Sequence, residues 1–472
     1  MPSISSYNSL EVIGLVIVDG VGFKNFILSD FLHQAKTLNQ KVIVFSGLPA
    51  TAYDLIENDE IEIVELEVFV ESGETWFWRK MKEVAHMQQH KKDFFGIAAN
   101  LEKNKPSDTS RRAKLISLIF KITSVFNSEK WIYNYNKKQL KSARKNPAFS
   151  KYHKLLSDSK IKTLFFTHQR PPYLGILNEA AKDLGITTSS FIFSWDNLPS
   201  KGRMAAPFDS FLVWSELMKK ELEYFYPDTK NKLIKVVGTP QFEPYVMKEY
   251  HVTQKDFLEK FKIKPNRKTI CYSCGDVSTS KSDSLYIETI AEAILEKKIP
   301  MVNLIVRTSP AEDGSRFKAI KERFPFIIWN FPKWKITRQN HPEPWSQRVP
   351  FKEDIEDLRS LLEYCDLNIN MCSTMSLDFM IFDKPVINPV FGNEKNGLYN
   401  DQKYLKYAHY ERVVQSGSVA IVKNKRELIE SVNFSLDNPQ ARLAEQRDLL
   451  KLQIGKPLKN TSLRIAHALK DL

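Results

Sequence analysis

At 472 residues, 42% of them hydrophobic and 26% charged, the chain is too long for one ordinary core, and its composition excludes global disorder; two domains are the default. Four cysteines are too few for a disulfide framework and fit a reducing cytosol. Apolar runs such as Val12–Val18 fall far short of a membrane span, and the opening M-P-S-I-S-S-Y-N lacks the pattern of a secretory signal. The net charge of +13 is concentrated, because Arg79 to Lys154 hold 19 Lys/Arg against 5 Asp/Glu; such a local basic field favours an anionic partner.

The first apolar run, Glu11 to Val18, reads as a strand that ends at Asp19-Gly20-Val21-Gly22 before a helix running toward Ala35. Lys41–Phe45 and Ile61–Leu66 read as further strands, and strand–helix alternation argues for a parallel sheet. D-G-V-G-F lacks the third glycine of a dinucleotide fingerprint. It suits a tight loop at the carboxyl end of a strand, where α/β folds bind ligands. Residues from about 76 to 155 form a basic helical insertion rich in Trp, Phe, Tyr and Leu. Two readings stay open for it: a helix seated on an anionic membrane, or a solvated face over the first domain. No zinc-finger or RNA-recognition signature is present, so nucleic acid is not expected as a partner.

Ile161–Thr167 predicts a strand emptying into T-H-Q-R-P-P-Y, with His168 and Arg170 just past its end. A helix over Leu174–Leu184 and a strand over Thr187–Phe193 follow, the strand running out into S-W-D-N-L-P-S-K-G (Ser194–Gly202). Phe211–Trp214 and Leu233–Val237 are two more strands, and the latter ends V-G-T-P-Q-F. After a basic linker, Lys262–Lys268, the alternation restarts with Thr269–Ser273, a helix over Asp283–Glu296, and strands at Val302–Val306 and Phe326–Trp329. Residues 1–237 and 238–472 are thus expected to be two α/β domains, the second finishing in closing helices near Leu428–Leu436 and Ser462–Leu472. Lys333–Pro350 reads as a loop. Cys271 and Cys274 make a C-x-x-C inside an apolar strand with no second ligand pair at zinc spacing, so a packed core thiol is the expectation for Cys271.

Asp354 to Val390 is the richest stretch. It reads as a helix ending near Tyr364, a short strand (Leu367, Ile369 and Met371 alternating with Asn368 and Asn370), and a second, largely apolar helix ending near Phe382. The polar residues of that helix, Ser373, Thr374, Ser376 and Asp378, cluster in its first turn. Unpaired N–H groups there would attract an anion, and a carboxylate one turn in could accept ribose hydroxyls. Ordinary helix capping explains the same residues without a ligand.

Together, S-W-D-N-L-P-S-K-G, V-G-T-P-Q-F-E-P-Y, R-T-S-P and N-M-C-S-T-M-S-L-D-F-M-I-F-D-K-P-V-I give the stretch from Ile161 to Val390 a likeness. It resembles glycosyltransferases of the GT-B fold, two Rossmann-like domains facing a cleft. It is most similar to bacterial surface- and capsular-polysaccharide enzymes, with kinship to the CDP-glycerol glycerophosphotransferases of teichoic acid synthesis. The resemblance implies a nucleotide-sugar donor as substrate, a glycan or lipid-linked acceptor, and neither cofactor nor metal. It places Arg307, Ser373, Thr374, Ser376 and Asp378 at the donor. Arg307 matches an arginine that relatives carry in R-x-H-P, but Ser309 stands at the histidine position. Asp19, His168 and Asp196 are candidate bases at strand ends, Asp19 ranked first; Arg170, Asn197 and Lys201 are candidate acceptor ligands. The expected setting is the cytoplasmic face of an anionic membrane. Rival readings are a CDP-polyol phosphotransferase, a nucleotide-sugar 2-epimerase, and a non-catalytic protein that binds an anionic surface.

Overall fold

The computed structural model describes residues 11–56, 61–392 and 401–472. The chain divides into two compact units: Met1–Glu243 with Ile336–Val349 and Gly455–Leu472, and Pro244–Lys335 with Pro350–Ile454.

The first unit is built on seven strands: β1 (Glu11–Ile17), β2 (Gln40–Ser46), β3 (Glu62–Glu65), β4 (Thr163–Phe166), β5 (Thr187–Phe191), β6 (Ser210–Val213) and β7 (Leu233–Val236). Their order in the sheet is β3-β2-β1-β4-β5-β6-β7, and every pairing is parallel. A parallel sheet buries both faces, so its strands read as continuous apolar runs, which is why they were legible in the sequence. The helix expected to run to Ala35 is two helices, Gly20–Phe26 and Phe31–Thr37. The turn between them lets Phe26 and Phe31 pack edge to face at 5.7 Å, and Phe26 also meets Phe165 and Phe191 in the core.

Between β3 and β4 lie five helices: Gly73–His90, Phe95–Lys103, Arg111–Val125, Glu129–Ala143 and Pro147–Ser159. The charge of this insertion is not all on a solvated face. Lys82 is 1% exposed; its ammonium donates to Asn136 Oδ1 (3.0 Å) and to the Met204 and Ala205 carbonyls (2.9 and 3.0 Å). Trp76 and Trp78 are covered by Arg112 and Lys138 at cation–π distances of 5.1 and 4.2 Å. Among the described residues no helix is long and apolar enough to cross a membrane.

The second unit holds β8 (Thr269–Ser273), β9 (Asn303–Arg307) and β10 (Ile328–Asn330), and later β13 (Leu367–Asn370), β14 (Val386–Pro389) and β15 (Ala420–Val422). These form a second parallel sheet in the order β10-β9-β8-β13-β14-β15. Between the two groups, β11 (Trp334–Ile336) and β12 (Arg348–Pro350) pair as a two-stranded sheet, where the sequence read as a loop. Helices Ala408–Ser416 and Leu443–Ile454 had no sequence expectation. The last helix, Thr461–Lys470, was assigned to the C-terminal domain; it groups instead with the first unit. There Glu243 accepts the Ser462 N–H at 3.0 Å, and Gln40 donates to the Ala466 carbonyl at 3.3 Å. Cys271 is fully buried, as expected of a core thiol.

Burial pushes the Lys82 amine down to about 7 from its ordinary 10.5. The unfolded chain therefore binds the extra proton between those values, so the contribution of Lys82 to stability is complete above pH 10.5 and is lost as pH falls toward 7. Urea midpoints measured from pH 7 to 10 should rise more steeply in the native chain than in Lys82→Met. Parallel slopes would contradict a lysine whose charged form is disfavoured by burial.

Candidate functional site

The strand order of the first sheet reverses between β1 and β4, the position at which doubly wound sheets open a crevice at their carboxyl edge. Asp19 follows β1 and His168 follows β4. Asp19 caps the helix Gly20–Phe26, its Oδ1 accepting the Gly22 N–H at 2.7 Å. Its Oδ2 lies 3.0 Å from His168 Nδ1. A carboxylate only accepts, so Nδ1 carries the proton and Nε2 is the nitrogen left to take one. The imidazole stacks on Phe193 with centroids 4.0 Å apart, and both side chains are buried, Asp19 at 1% and His168 at 6% exposure. The tight D-G-V-G turn has a steric reason. A Cβ on Gly20 would stand 1.6 Å from the Arg348 carbonyl oxygen, and one on Gly22 2.9 Å from Thr167 Oγ1.

The ranking of the three candidate bases changes with this geometry. Asp19, placed first on sequence, is a cap and an orienting group whose two oxygens are both engaged. His168 is the group with a nitrogen to offer. Asp196 lies in a local ion pair with Lys201 (3.3 Å) and accepts from Asn197 Nδ2 at 3.1 Å. Asn197 Oδ1 in turn accepts from Gln169 Nε2 at 3.0 Å. The positive charge of Arg170 acts on the buried His86 and Tyr226.

Sequence reasoning missed a cavity of the same unit, lined by neither Asp19 nor His168. About 320 Å³ is enclosed by Gly47 after β2, Leu66 to Glu71 after β3, Pro172 and Tyr173, and Arg338 to Glu343. Tyr173 lies on its wall, where burial first, then the negative charge of Tyr152, Asp19 and Glu343, pushes its phenol well up. The signal available in sequence was weak: Tyr173 sits in T-H-Q-R-P-P-Y, and His341 and Glu343 lie in a stretch read only as a loop.

The order of the second sheet reverses between β8 and β13 in the same way. After β13, Cys372 adopts a left-handed φ of 49°, a strained geometry that turns the chain into the helix Met375–Ile381. The helix start expected to present unpaired N–H groups does not do so. The N–H of Ser373 donates to Asn370 Oδ1 and that of Met375 to Ser373 Oγ, while those of Ser376, Leu377 and Asp378 reach the Ser373 and Thr374 carbonyls. Ser376 is fully buried. Its hydroxyl belongs to a network with Asn370, Asn388 and Tyr410, bonding Tyr410 at 2.9 Å. The Asp378 carboxylate accepts from the Tyr245 phenol. Ser373 and Thr374 remain half-buried at the edge.

Arg307, expected at a phosphate, is an internal residue. It is 6% exposed and forms two 3.0 Å bonds to the Asp354 carboxylate, with a further bond to Asn330 Oδ1. Asp354 also accepts from the Lys333 N–H (3.0 Å) and Trp334 Nε1 (2.8 Å). The loop after β8, which carried no sequence expectation beyond its strand, is clamped by Arg316. That guanidinium reaches the Gly275 carbonyl (3.0 Å) and Asp283 (2.9 Å). Burial pushes the Asp283 carboxyl up to about 6 against the opposing pull of its Tyr272, Ser280 and Arg316 partners.

No family model matches the chain, and no curated protein sequence matches it. Its structure is similar to that of the UDP-GlcNAc 2-epimerase from Methanocaldococcus jannaschii, with a TM-score of 0.52 and 12% identity over 98% of this chain and 99% of that one. It is similar to a glycosyltransferase from Rickettsia africae ESF-5 to the same degree, with a TM-score of 0.52 and 12% identity over 98% of both chains. At such identities the likeness establishes the fold, which is the two-domain α/β architecture of GT-B proteins.

Removing one member of a buried, hydrogen-bonded ion pair strands the other, at a cost of about 3–5 kcal/mol. We expect Arg307→Met to lower the free energy of unfolding by that amount, read from a lower urea midpoint at unchanged slope. Unchanged stability would return Arg307 to the group of ligand-binding candidates.

Proposed function

We propose that this chain is a GT-B glycosyltransferase that moves a sugar from a nucleotide-sugar to the hydroxyl of a glycan or lipid-linked acceptor. The observation that carries the reading is the Asp19–His168 pair at the switch point of the first sheet, in a unit that also holds a cavity of about 320 Å³. In the proposed step the acceptor hydroxyl oxygen bonds to the anomeric carbon, and His168 Nε2 takes the hydroxyl proton. The bond from that carbon to the phosphate oxygen breaks, and the nucleoside diphosphate leaves with the electron pair. Asp19 holds the ring in the donating tautomer at Nδ1 and stabilises the imidazolium that forms. The nucleotide is assigned to the carboxyl edge of the second sheet, near Ser373, Thr374 and the loop after β8, with Asp378 toward the ribose. No metal is part of this step.

Two features of the insertion support work at an anionic membrane. Leu118, Val125, Phe126, Trp131 and Tyr133 are exposed, and they stand among lysines and arginines, the residue mixture of an interfacial surface. The setting proposed is the inner leaflet, with a surface polysaccharide or its lipid carrier as acceptor.

A second reading, a nucleotide-sugar 2-epimerase, is favoured by the equal likeness to the Methanocaldococcus enzyme. The same pair could then move a proton at the sugar without any acceptor.

A thermal-shift screen with UDP-, GDP-, CMP- and CDP-linked donors identifies the nucleotide, since a ligand that binds only the folded state raises its stability. With that donor, nucleoside diphosphate release that depends on added acceptor supports transfer, whereas acceptor-independent interconversion of the sugar supports the epimerase. A CDP-polyol response together with CMP release would indicate phosphotransfer. His168→Ala should lower kcat by about 10²–10⁴-fold, and Asp19→Asn by a comparable factor, with donor binding retained. Full activity in His168→Ala would sink the assignment of the base.

A further inference from the structure

The helical insertion contains a cluster that the transfer reading does not use. His86 and His90 are one turn apart on the helix Gly73–His90 and face the same way. Their rings stand 4.8 Å apart. His86 is 0% and His90 6% exposed, yet neither nitrogen of His86, nor Nε2 of His90, has a hydrogen-bond partner. Buried polar atoms are almost always paired, so three unpartnered imidazole nitrogens in one place require a reason. Glu129, at the start of the helix Glu129–Ala143 that packs against this one, completes the group. One ligand atom from each of the three residues lies within 4.8 Å of the others.

From this we infer that His86, His90 and Glu129 form a binding site for a divalent transition-metal ion of the zinc class, tying together the first and fourth helices of the insertion. Two imidazoles and a carboxylate are a recognised zinc donor set, with water as the fourth ligand. Ligands of one tetrahedral zinc sit about 3.3–3.5 Å apart, so the site closes by a movement on the order of an ångström.

Arg203 stands against this cluster and has to be accommodated. It holds both Glu129 oxygens at 3.0 Å, and its charge acts on both histidines. Gln89 also donates to Oε1 at 3.1 Å, which leaves Oε2 a second lone pair, so the guanidinium can orient Glu129 from one side while the metal takes that oxygen, the usual arrangement behind a ligating carboxylate. Asp228, 3.5 Å from the same guanidinium, and Asp93, whose charge acts on His90, offset the positive charge of Arg203. Glu129 and Arg203 also line a cavity of about 610 Å³. The inference is independent of the transferase reading, because none of these residues touches the Asp19–His168 pair.

The test uses the full chain, stripped with a chelator and titrated with Zn²⁺ in competition with a chromophoric chelator. One equivalent is expected to bind and to raise the melting temperature. In His90→Gln and in Glu129→Gln, each checked for native circular dichroism, affinity should fall at least about 100-fold. The Co²⁺ absorption spectrum of the unmutated chain gives a readout that does not depend on variant folding. Ligand-field bands of a tetrahedral nitrogen and oxygen site, without thiolate-to-cobalt charge transfer, support the site. Absence of stoichiometric binding, equal affinity in both variants, or a thiolate charge-transfer band pointing to the cysteines would overturn it.

Discussion

Everything at the two candidate edges depends on the demand of a parallel sheet to be covered on both faces. Each strand must return by a crossover, so all the loops that follow strands collect on one edge, and a reversal of strand order leaves two adjacent loops diverging. In the first unit this brings together Asp19 and His168, 149 residues apart in sequence. In the second it brings the Gly275 loop beside the turn at Cys372 and Ser373, through the direct pairing of β8 with β13. The candidate residues of each unit gather at that one topological feature.

The polar residues behind these edges are organised before any ligand arrives. Asn368, Asn370, Asn388, Ser376 and Tyr410 satisfy one another, and Arg307 satisfies Asp354 and Asn330. Asp19 caps a helix and orients an imidazole at once. Such groups do not themselves grip a substrate. They fix the rotamers of the few that face outward, which is how a site keeps its geometry without reorganising during reaction.

The strands were legible because burial on both faces writes them as apolar runs; Thr269–Ser273 has the same limits in sequence and structure. Trp334–Ile336 was not, since two of its three residues are exposed and it pairs only with β12. Asn368 and Asn370 alternate with apolar residues as on a half-exposed strand, yet all four strand residues are buried and the asparagines face an internal network. At the site, sequence spacing picked out Asp19 and His168 singly and could not see that they form one unit. Arg307 and Ser376 were drawn toward a ligand because their buried partners, Asp354 and Tyr410, lie far along the chain. Lys82 looked like part of a solvated basic face, because charge counting does not distinguish a lysine in the core from one on the surface.

The return of the last helix to the first sheet bears on how the protein is made. Ser462 bonds Glu243 across 219 residues, and Gln40 reaches Ala466 across 426. During synthesis the first unit therefore waits with a bare flank, along the helix Phe31–Thr37 and β2, until the helix Thr461–Lys470 has emerged from the ribosome. Long-range closures of this kind slow folding and leave apolar surface open to misassociation. Translation of the whole second unit thus sets the time at which the first can be completed.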